Sequence, residues 1–344
     1  MSSRTTVRAA GRSSFFLRLG RKCIQYFAVI ALALTINFAL PRLAPGDPLA
    51  FVIGQELYEE MTPDERQAVR KELELDGSVL EQYGRFIASV ATLDMGLSTK
   101  YGKPVTEVLR ERMPWTFLVV VPPLVLTPLI GVALGVYAAW NRGRKRDAAL
   151  LTAVLTVESM PGFWFGMVLI AVFGVKLGWF PTYGAAPMIR TDDWSYYVSV
   201  AEHLAMPVAT ITIASIGTYF LLMRSTMLDA LGQDYMMLAE AKGVGKRGLM
   251  FKHAMRNAML PVYTHVTMSL SMLFSGAVIV ETVFSYPGIG SLLYESVMAR
   301  DFTLMQGVFL MSTVSVILAN MLADLTYPLV DPRARYRRRS GVAG

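Results

Sequence analysis

Residues 114–140 are PWTFLVVVPPLVLTPLIGVALGVYAAW, a run without a single charged side chain. The hydrocarbon core of a bilayer is about 30 Å thick and is crossed by about 20 apolar helical residues. The run meets that requirement with residues to spare. It therefore predicts a transmembrane helix and favours an integral membrane protein.

The composition of the whole chain agrees with this prediction. Of 344 residues, 53% are hydrophobic and 17% charged, whereas soluble domains carry about 25% charged residues. The single cysteine, Cys23, excludes a disulfide scaffold or a cysteine-based zinc site. The histidines His203, His253 and His265 lie too far apart for a local metal-ligand pattern. We expect no metal and no cofactor in this chain.

Five further stretches are long and apolar enough to cross a membrane, and only one of them contains an acidic residue, Glu158. The predicted fold class is thus all-α integral membrane, with six transmembrane helices. The five additional spans are 23–40, 148–175, 204–223, 258–280 and 302–323.

The distribution of Lys and Arg predicts the orientation in the membrane. The termini and the segments 141–147 and 224–257 carry 21 of these residues, and the opposite side carries 12. Because cytoplasmic loops hold the excess, both termini are assigned to the cytoplasm. The net charge of +7 is then mainly a topology signal, and we expect a lipid bilayer and no nucleic acid as a partner. The predicted organisation is a basic N-terminus (1–22), a first span (23–41), an external helical cap (42–113), a transmembrane core (114–330) and a basic tail (331–344).

The external segment 42–113 contains signals for two helices. Thr62, Pro63 and Glu65 form the pattern of a capping box followed by a helix. A second helix is predicted from apolar residues at helical spacing. These residues are Val79, Tyr83, Phe86, Ile87 and Val90.

The cytoplasmic segment 224–257 predicts two short helices joined by glycines. Asp234 is expected to cap a helix that runs to Ala241, and Gly243 to end it, because glycine readily adopts positive φ. A second helix is expected over 247–257, with Leu249, Met250, His253 and Met259 near one face. Such a compact knob suits docking into a groove of a partner. The pattern also fits helices that lie on the membrane surface, and both interpretations remain open.

Nucleotide-binding and hydrolytic motifs are missing. Gly245-Lys246 has the wrong neighbours for a P-loop, since Glu240 stands where a glycine is needed and Arg247 where Ser or Thr is needed. The chain contains no Gly-x-Ser-x-Gly and no His-Glu-x-x-His. We expect a protein that is not an enzyme and does not hydrolyse ATP.

Glu158 is the exceptional residue of the spans. An ionisable group within a span is a functional hypothesis by default, and the adjacent Pro161 and Gly162 are expected to open the helix. Glu158 and Pro161 are therefore predicted to line a solute pathway, where the carboxylate would attract a cationic group. The alternative is a carboxyl group satisfied by neighbouring helices.

The segment 232–261 resembles the coupling-loop (EAA-type) signature of ABC importer permeases, and in particular the dipeptide/oligopeptide/nickel permease family. The matching residues are Gly232-Gln233-Asp234-Tyr235, Ala239-Glu240-Ala241-Lys242-Gly243 and His253 through Pro261. Four further segments agree in order: Pro45-Gly46-Asp47-Pro48, Leu73-Glu74-Leu75-Asp76 with Gln82-Tyr83, residues 281–290 (ETVFSYPGIG) and Asp331-Pro332-Arg333.

The resemblance, to the first of the family's two permease subunits, implies a type I ABC importer permease fold in a bacterial or archaeal plasma membrane. It implies three kinds of partner: a homologous second permease subunit, two cytoplasmic ATPase subunits that hold ATP-Mg, and an external solute-binding protein. It implies uptake of di- or oligopeptides by alternating access. It also implies an ATPase-coupling surface consisting of Tyr235, Ala239, Glu240, Lys242, Gly243 and His253.

Three departures from the family pattern leave the cargo open, and one of them is Leu93-Asp94-Met95-Gly96 in place of the more usual Gly-Asp-Leu-Gly. Met237 occupies the position where the general importer motif begins with glutamate, and Glu158 stands where a neutral residue is expected. A nickel or other small-solute importer of the same family is the nearest alternative. A proton-coupled secondary transporter that depends on Glu158, and a membrane-embedded enzyme, are alternatives from other classes.

Overall fold

The computed structural model describes residues 24–39, 47–72, 77–187, 193–269 and 277–330. The described residues form helices and connecting segments, with one isolated bridge between Leu97 and Pro104 and no named strand among them. The helices are α1 (Ile24–Ala39), α2 (Pro48–Ile53), α3 (Gln55–Glu60), α4 (Pro63–Glu72), α5 (Val79–Thr92), α6 (Val105–Trp140), α7 (Lys145–Glu158), α8 (Gly162–Leu169, continued by a π-helical segment Ile170–Lys176), α9 (Trp194–Leu231), α10 (Asp234–Ala241), α11 (Lys246–Gly248, continued by a π-helical segment Leu249–Met255), α12 (Arg256–Ser269), α13 (Val278–Val283), α14 (Ile289–Met298) and α15 (Phe302–Val330).

Several sequence predictions lie outside the described residues. They are the basic N-terminus 1–22, the basic tail 331–344, the motif positions 45–46 and 73–76, and residues 270–276 of the fifth predicted span.

Three described helices are long and apolar enough to cross a membrane: Val105–Trp140, Trp194–Leu231 and Phe302–Met321. Lys145–Glu158 and Gly162–Lys176 together qualify as a fourth, although the pair is bent by 93°. The described residues thus contain three spanning helices, or four if the bent pair is one span, and the predicted count of six is not confirmed.

The described chain forms two compact units. One contains the residues up to Leu109 together with Glu295–Ile317, and the other contains Arg110–Tyr294 together with the residues from Leu318 onward.

In the first unit, the apolar face predicted for the second external helix is confirmed. Phe38 of α1 packs against Tyr83 and Phe86 of α5, with ring centroids 5.1 and 5.7 Å away. The predicted Val79 is an exception, because it is exposed at the start of the helix.

The capping box before α4 is also confirmed. The Thr62 backbone N–H donates to Glu65 Oε2 at 2.8 Å, and the Glu65 N–H donates to Thr62 Oγ1 at 3.4 Å. Two donors of the first turn are satisfied, so the helix begins at Pro63 as expected.

In the second unit, α6 and α9 pack with their backbones in close approach. A Cβ atom on Gly131 would lie 2.6 Å from Tyr219 Cβ, and one on Gly135 would lie 2.8 Å from Met223 Cβ and from the Phe220 carbonyl oxygen. Small residues four positions apart allow membrane helices to approach this closely. The spacing Gly131-x-x-x-Gly135 therefore sets the separation of the two longest helices.

A fully buried carboxylate joins α6 to the segment 281–291. Glu281 accepts hydrogen bonds from Thr116 Oγ1 at 3.1 Å and from the Ser291 N–H at 2.9 Å. Thr116 Oγ1 in turn accepts from the Ile289 N–H at 2.7 Å. A buried carboxylate needs such donors because burial without them is costly, and the apolar pattern of the sequence does not reveal them.

We predict that Gly135→Ala destabilises the protein by about 1–3 kcal/mol, the usual cost of overpacking a filled contact. The matched control is Gly84→Ala in α5, where a Cβ would meet no atom within 4 Å and where alanine gains about 0.5–1 kcal/mol of helix stability. The free energies of unfolding are measured by titration with a denaturing detergent. Equal stability of the two variants would contradict the close packing of α6 and α9.

Candidate functional site

The predicted cytoplasmic knob is present as α10, α11 and the first part of α12, and we define the knob as residues 234–258. One boundary prediction was wrong. Gln233 holds the N-cap position with extended backbone, and Asp234 is the first residue of α10 rather than its cap. The carboxylate of Asp234 remains near the N-terminal end of α10, where the helix dipole stabilises a negative charge.

Gly243 ends α10 as predicted, with φ of +79°. The Gly243 N–H donates to the Glu240 carbonyl at 2.9 Å, and the Val244 N–H donates to the Ala239 carbonyl at 3.2 Å. These two bonds form a Schellman motif, which requires a left-handed residue at the position of Gly243. Gly245 has φ of −65°, so of the two glycines that join the helices only Gly243 requires the conformational freedom of glycine.

The predicted second helix differs from the observed one in two respects. It does not end at Asn257 but continues to Ser269, and Leu249–Met255 form a π-helical segment. Because a π turn bonds residue i to i+5, the buried positions advance from Leu249 to Ala254 and then to Ala258. Of the residues expected near one face, Leu249 is buried in the apolar cluster and Met250 and Met259 are partly buried against it, whereas His253 is partly buried without belonging to it.

The inner face of the knob is part of a continuous apolar core. Met236 and Ala239 of α10 belong to the same cluster as Met223 and Met227 of α9. Thr226 Oγ1 of α9 also donates to the Ala258 carbonyl at 3.1 Å. The remaining buried members of the cluster are Val132, Val136, Ala139, Tyr219, Ala230, Leu249, Ala254, Ala258 and Val262.

The outer face of the knob exposes large apolar side chains. Met237 is 65% exposed, Leu238 58%, Phe251 54% and Tyr235 37%. Exposed charged residues occur on the same short segments. They are Glu240, Lys242, Lys246, Arg247 and Lys252.

The six predicted coupling residues do not all lie on this outer face. Tyr235, Glu240, Lys242 and Gly243 are exposed, and His253 is partly buried. Ala239 is 7% exposed, and its methyl group packs inside the knob. In this conformation Ala239 supports the knob from within and offers no surface to a partner.

An ion pair joins the start of α7 to the end of α9 beside the knob. Arg224 Nε and Nη2 donate to the two carboxylate oxygens of Asp147 at 2.8 and 2.9 Å. The paired planar geometry is the strong form of an arginine–carboxylate contact. We call this pair the clamp.

The broken span places Glu158 and Pro161 on either side of the bend. Glu158 is the last residue of α7, and Pro161 is the N-cap of α8. The predicted opening of the helix at residues 159–162 is therefore confirmed, with a bend of 93°. Glu158 is exposed, and its Oε1 accepts a long hydrogen bond of 3.4 Å from Thr218 Oγ1.

Sequence reasoning counted Asp147 and Arg224 only as charges of cytoplasmic loops. They are 77 positions apart, and no local spacing pairs them. The one available signal is that Asp147 is an acid within the basic segment 141–147.

Comparison with known proteins identifies a family and several relatives. The sequence profile of the family described as "Binding-protein-dependent transport system inner membrane component" matches residues 131–336. A putative peptide transport system permease protein of Brucella abortus is 31% identical over 317 residues, covering 92% of this chain and 98% of its own.

Two other relatives are a probable peptide ABC transporter permease protein of Sinorhizobium fredii and the glutathione transport system permease protein of Escherichia coli. The first is 34% identical and covers 92% of this chain and 98% of its own. The second is 33% identical and covers 87% of this chain and 92% of its own. The chain therefore belongs to the family of binding-protein-dependent transport system inner membrane components, the permease subunits of ABC importers.

Proposed function

We propose that the chain is the first permease subunit of an ATP-driven importer of di- or oligopeptides, and that the outer face of the knob contacts the ATPase subunits. The observation that carries the coupling role is the division of the knob into a buried inner face and an exposed apolar outer face. Helices that merely lie on a bilayer would turn their apolar face to lipid. Here the inner apolar face packs on α9 and α12, which leaves the outer one available to a protein partner.

The proposed coupling surface consists of Tyr235, Glu240, Lys242, Gly243 and His253, to which we add Leu238. Ala239 acts from inside the knob by holding α10 against the core. An exposed cluster of aromatic, Leu and Met side chains with a charged rim resembles the anatomy of protein–protein interfaces.

The proposed assembly contains this chain, a homologous second permease, two cytoplasmic ATPase subunits and an external solute-binding protein. ATP-Mg would be bound by the ATPase subunits, and this chain would contribute neither catalysis nor a cofactor. Membership of a binding-protein-dependent family supports the assembly.

We propose a type I importer fold with six spans and both termini in the cytoplasm. The excess of Lys and Arg on the side of the knob supports that orientation. The organisation of the sequence into an external cap over 42–113 and a core over 114–330 belongs to the same proposal.

Peptide cargo is supported by the names of relatives, which include peptide and glutathione transport permeases. In the proposed mechanism, closure of the ATPases displaces the knob, and the clamp carries that displacement from α9 to α7. The segment around Glu158 and Pro161 then changes its exposure between the two sides of the membrane, as alternating access requires.

We predict that Leu238→Asp weakens binding of the ATPase subunits about tenfold or more. Burying a leucine contributes about 1.5–3 kcal/mol, and about 1.4 kcal/mol corresponds to a factor of ten in affinity. The affinity is measured by titrating purified ATPase into the permease pair in nanodiscs. The matched control, Leu80→Asp in α5, alters another exposed leucine and should leave the affinity unchanged. Unchanged affinity of the Leu238 variant would indicate a knob that lies on lipid.

We predict that Gly243→Val abolishes transport-coupled stimulation of the ATPase while the protein still inserts and assembles with its partner permease. Valine at φ of +79° is strained by about 1–2 kcal/mol, which should disrupt the Schellman turn. Stimulation is measured in proteoliposomes with binding protein and cargo. The control is Gly245→Val, where φ is −65° and an added Cβ meets no atom within 4 Å. Normal stimulation of the Gly243 variant would refute the coupling role.

A further inference from the structure

The carboxylate of Glu158 fits against Gly217 but has no positively charged partner among the described residues. An added Cβ on Gly217 would lie 2.7 Å from Glu158 Oε2, so the absence of a side chain on Gly217 makes room for the carboxylate. Among the described residues, Thr218 donates the one hydrogen bond to this carboxylate, and Glu158 forms no ion pair.

The backbone around Glu158 adds to its negative charge. Glu158 ends α7, with Ser159 as the C-cap. The C-terminal end of a helix carries about half a negative elementary charge, which favours cations nearby. The carboxylate and the helix end therefore attract the same kind of group.

A lipid environment does not fit this place. The backbone is broken here by a bend of 93°, and non-helical backbone at membrane depth is tolerated only where protein or water surrounds it. A carboxylate that faces lipid is likewise costly. The exposed face of Glu158 must therefore border water or another protein.

Glu158 lies near the middle of its predicted span, at the depth where a transporter would bind a solute. Ten residues separate it from residue 148, where the predicted span begins. At about 1.5 Å per residue this corresponds to about 15 Å, half of a hydrocarbon core of about 30 Å. Secondary transporters place their binding groups near the midplane and build them from interrupted helices, and the break beside Glu158 has the same two features.

We propose that Glu158 binds a primary ammonium group of the transported solute at the break of the third predicted span, 148–175. This inference rests on the proposed function and adds a recognition group within the permease itself. The carboxylate forms the ion pair, and Gly217 provides the space.

The test uses a cysteine next to the carboxylate. Cys23 is the only cysteine of the chain, so Cys23→Ser gives a background into which Ser159→Cys is introduced. The complete importer, with partner subunits free of reactive cysteines, is treated with a cationic and an anionic methanethiosulfonate. The rate of thiol modification by the cationic reagent, divided by the rate with the anionic reagent, should fall at least about tenfold after Glu158→Gln. A unit charge within several ångströms interacts strongly with a charged reagent at low dielectric.

Glu202→Gln is the matched control, because Glu202 is another exposed glutamate, on α9, and should leave the ratio unchanged. Two results would overturn the proposal. One is an introduced thiol that reacts with neither charged reagent, which means contact with lipid or protein. The other is a rate ratio that Glu158→Gln does not alter.

Three peptides at concentrations on the order of 10 mM, suited to a weak millimolar site, identify the source of the ammonium group. Slower modification in trialanine indicates recognition of the amino terminus, and slower modification in N-acetyl-trilysine amide indicates recognition of a basic side chain. N-acetyl-trialanine amide carries no ammonium group and should have no effect. The proposal is wrong if this neutral peptide protects the thiol from modification as well as the two charged peptides do. It is also wrong if none of the three peptides protects the thiol, which is the result expected if a basic residue of the partner permease is paired with Glu158.

ATP-driven uptake of peptide into proteoliposomes is measured separately. If the importer takes up peptide but its introduced thiol is unreactive, or reacts without regard to the charge of the reagent, the inference about Glu158 is wrong and the proposed function stands. Absence of ATP-driven uptake would overturn the proposed function itself.

Discussion

The apolar contact between the knob and the end of α9 is the interaction on which the rest of the structure depends. Met236 and Ala239 are buried against Met223 and Met227, and this burial determines which side chains of α10 point outward. Without it, a helix of eight residues would be marginal in water. The exposure of Leu238 on the opposite side of α10 follows from it.

A continuous chain of contacts connects the knob to the broken span within one compact unit. The knob packs on α9, the clamp of Asp147 and Arg224 fastens α9 to α7, and α7 ends at Glu158. The glycine contacts of Gly135 keep α6 against the same stretch of α9. Packed and ion-paired helices transmit displacement because such interfaces resist continuous deformation.

Features governed by local chemistry were predictable from the sequence. The capping box at Thr62 and the left-handed turn at Gly243 depend on neighbouring residues, and both are found. Of the six predicted apolar spans, three are found as long helices among the described residues, or four if the bent pair is one span. Features governed by tertiary contacts were not. The π-helical segment Leu249–Met255 moved the buried face because its fit to the core outweighs regular helical spacing. Ala239 matched the family motif, but the motif does not reveal that its side chain points inward.

The contact between the knob and the ATPases can be measured by site-specific photo-crosslinking. A benzophenone amino acid at position 237, whose side chain is exposed, is introduced into the assembled importer in its native membrane. If the outer face of the knob contacts an ATPase subunit, illumination gives a covalent product with that subunit. The same probe at the buried position 236 gives no such product. Products with lipid alone, or labelling from the external side of the membrane, would contradict the account.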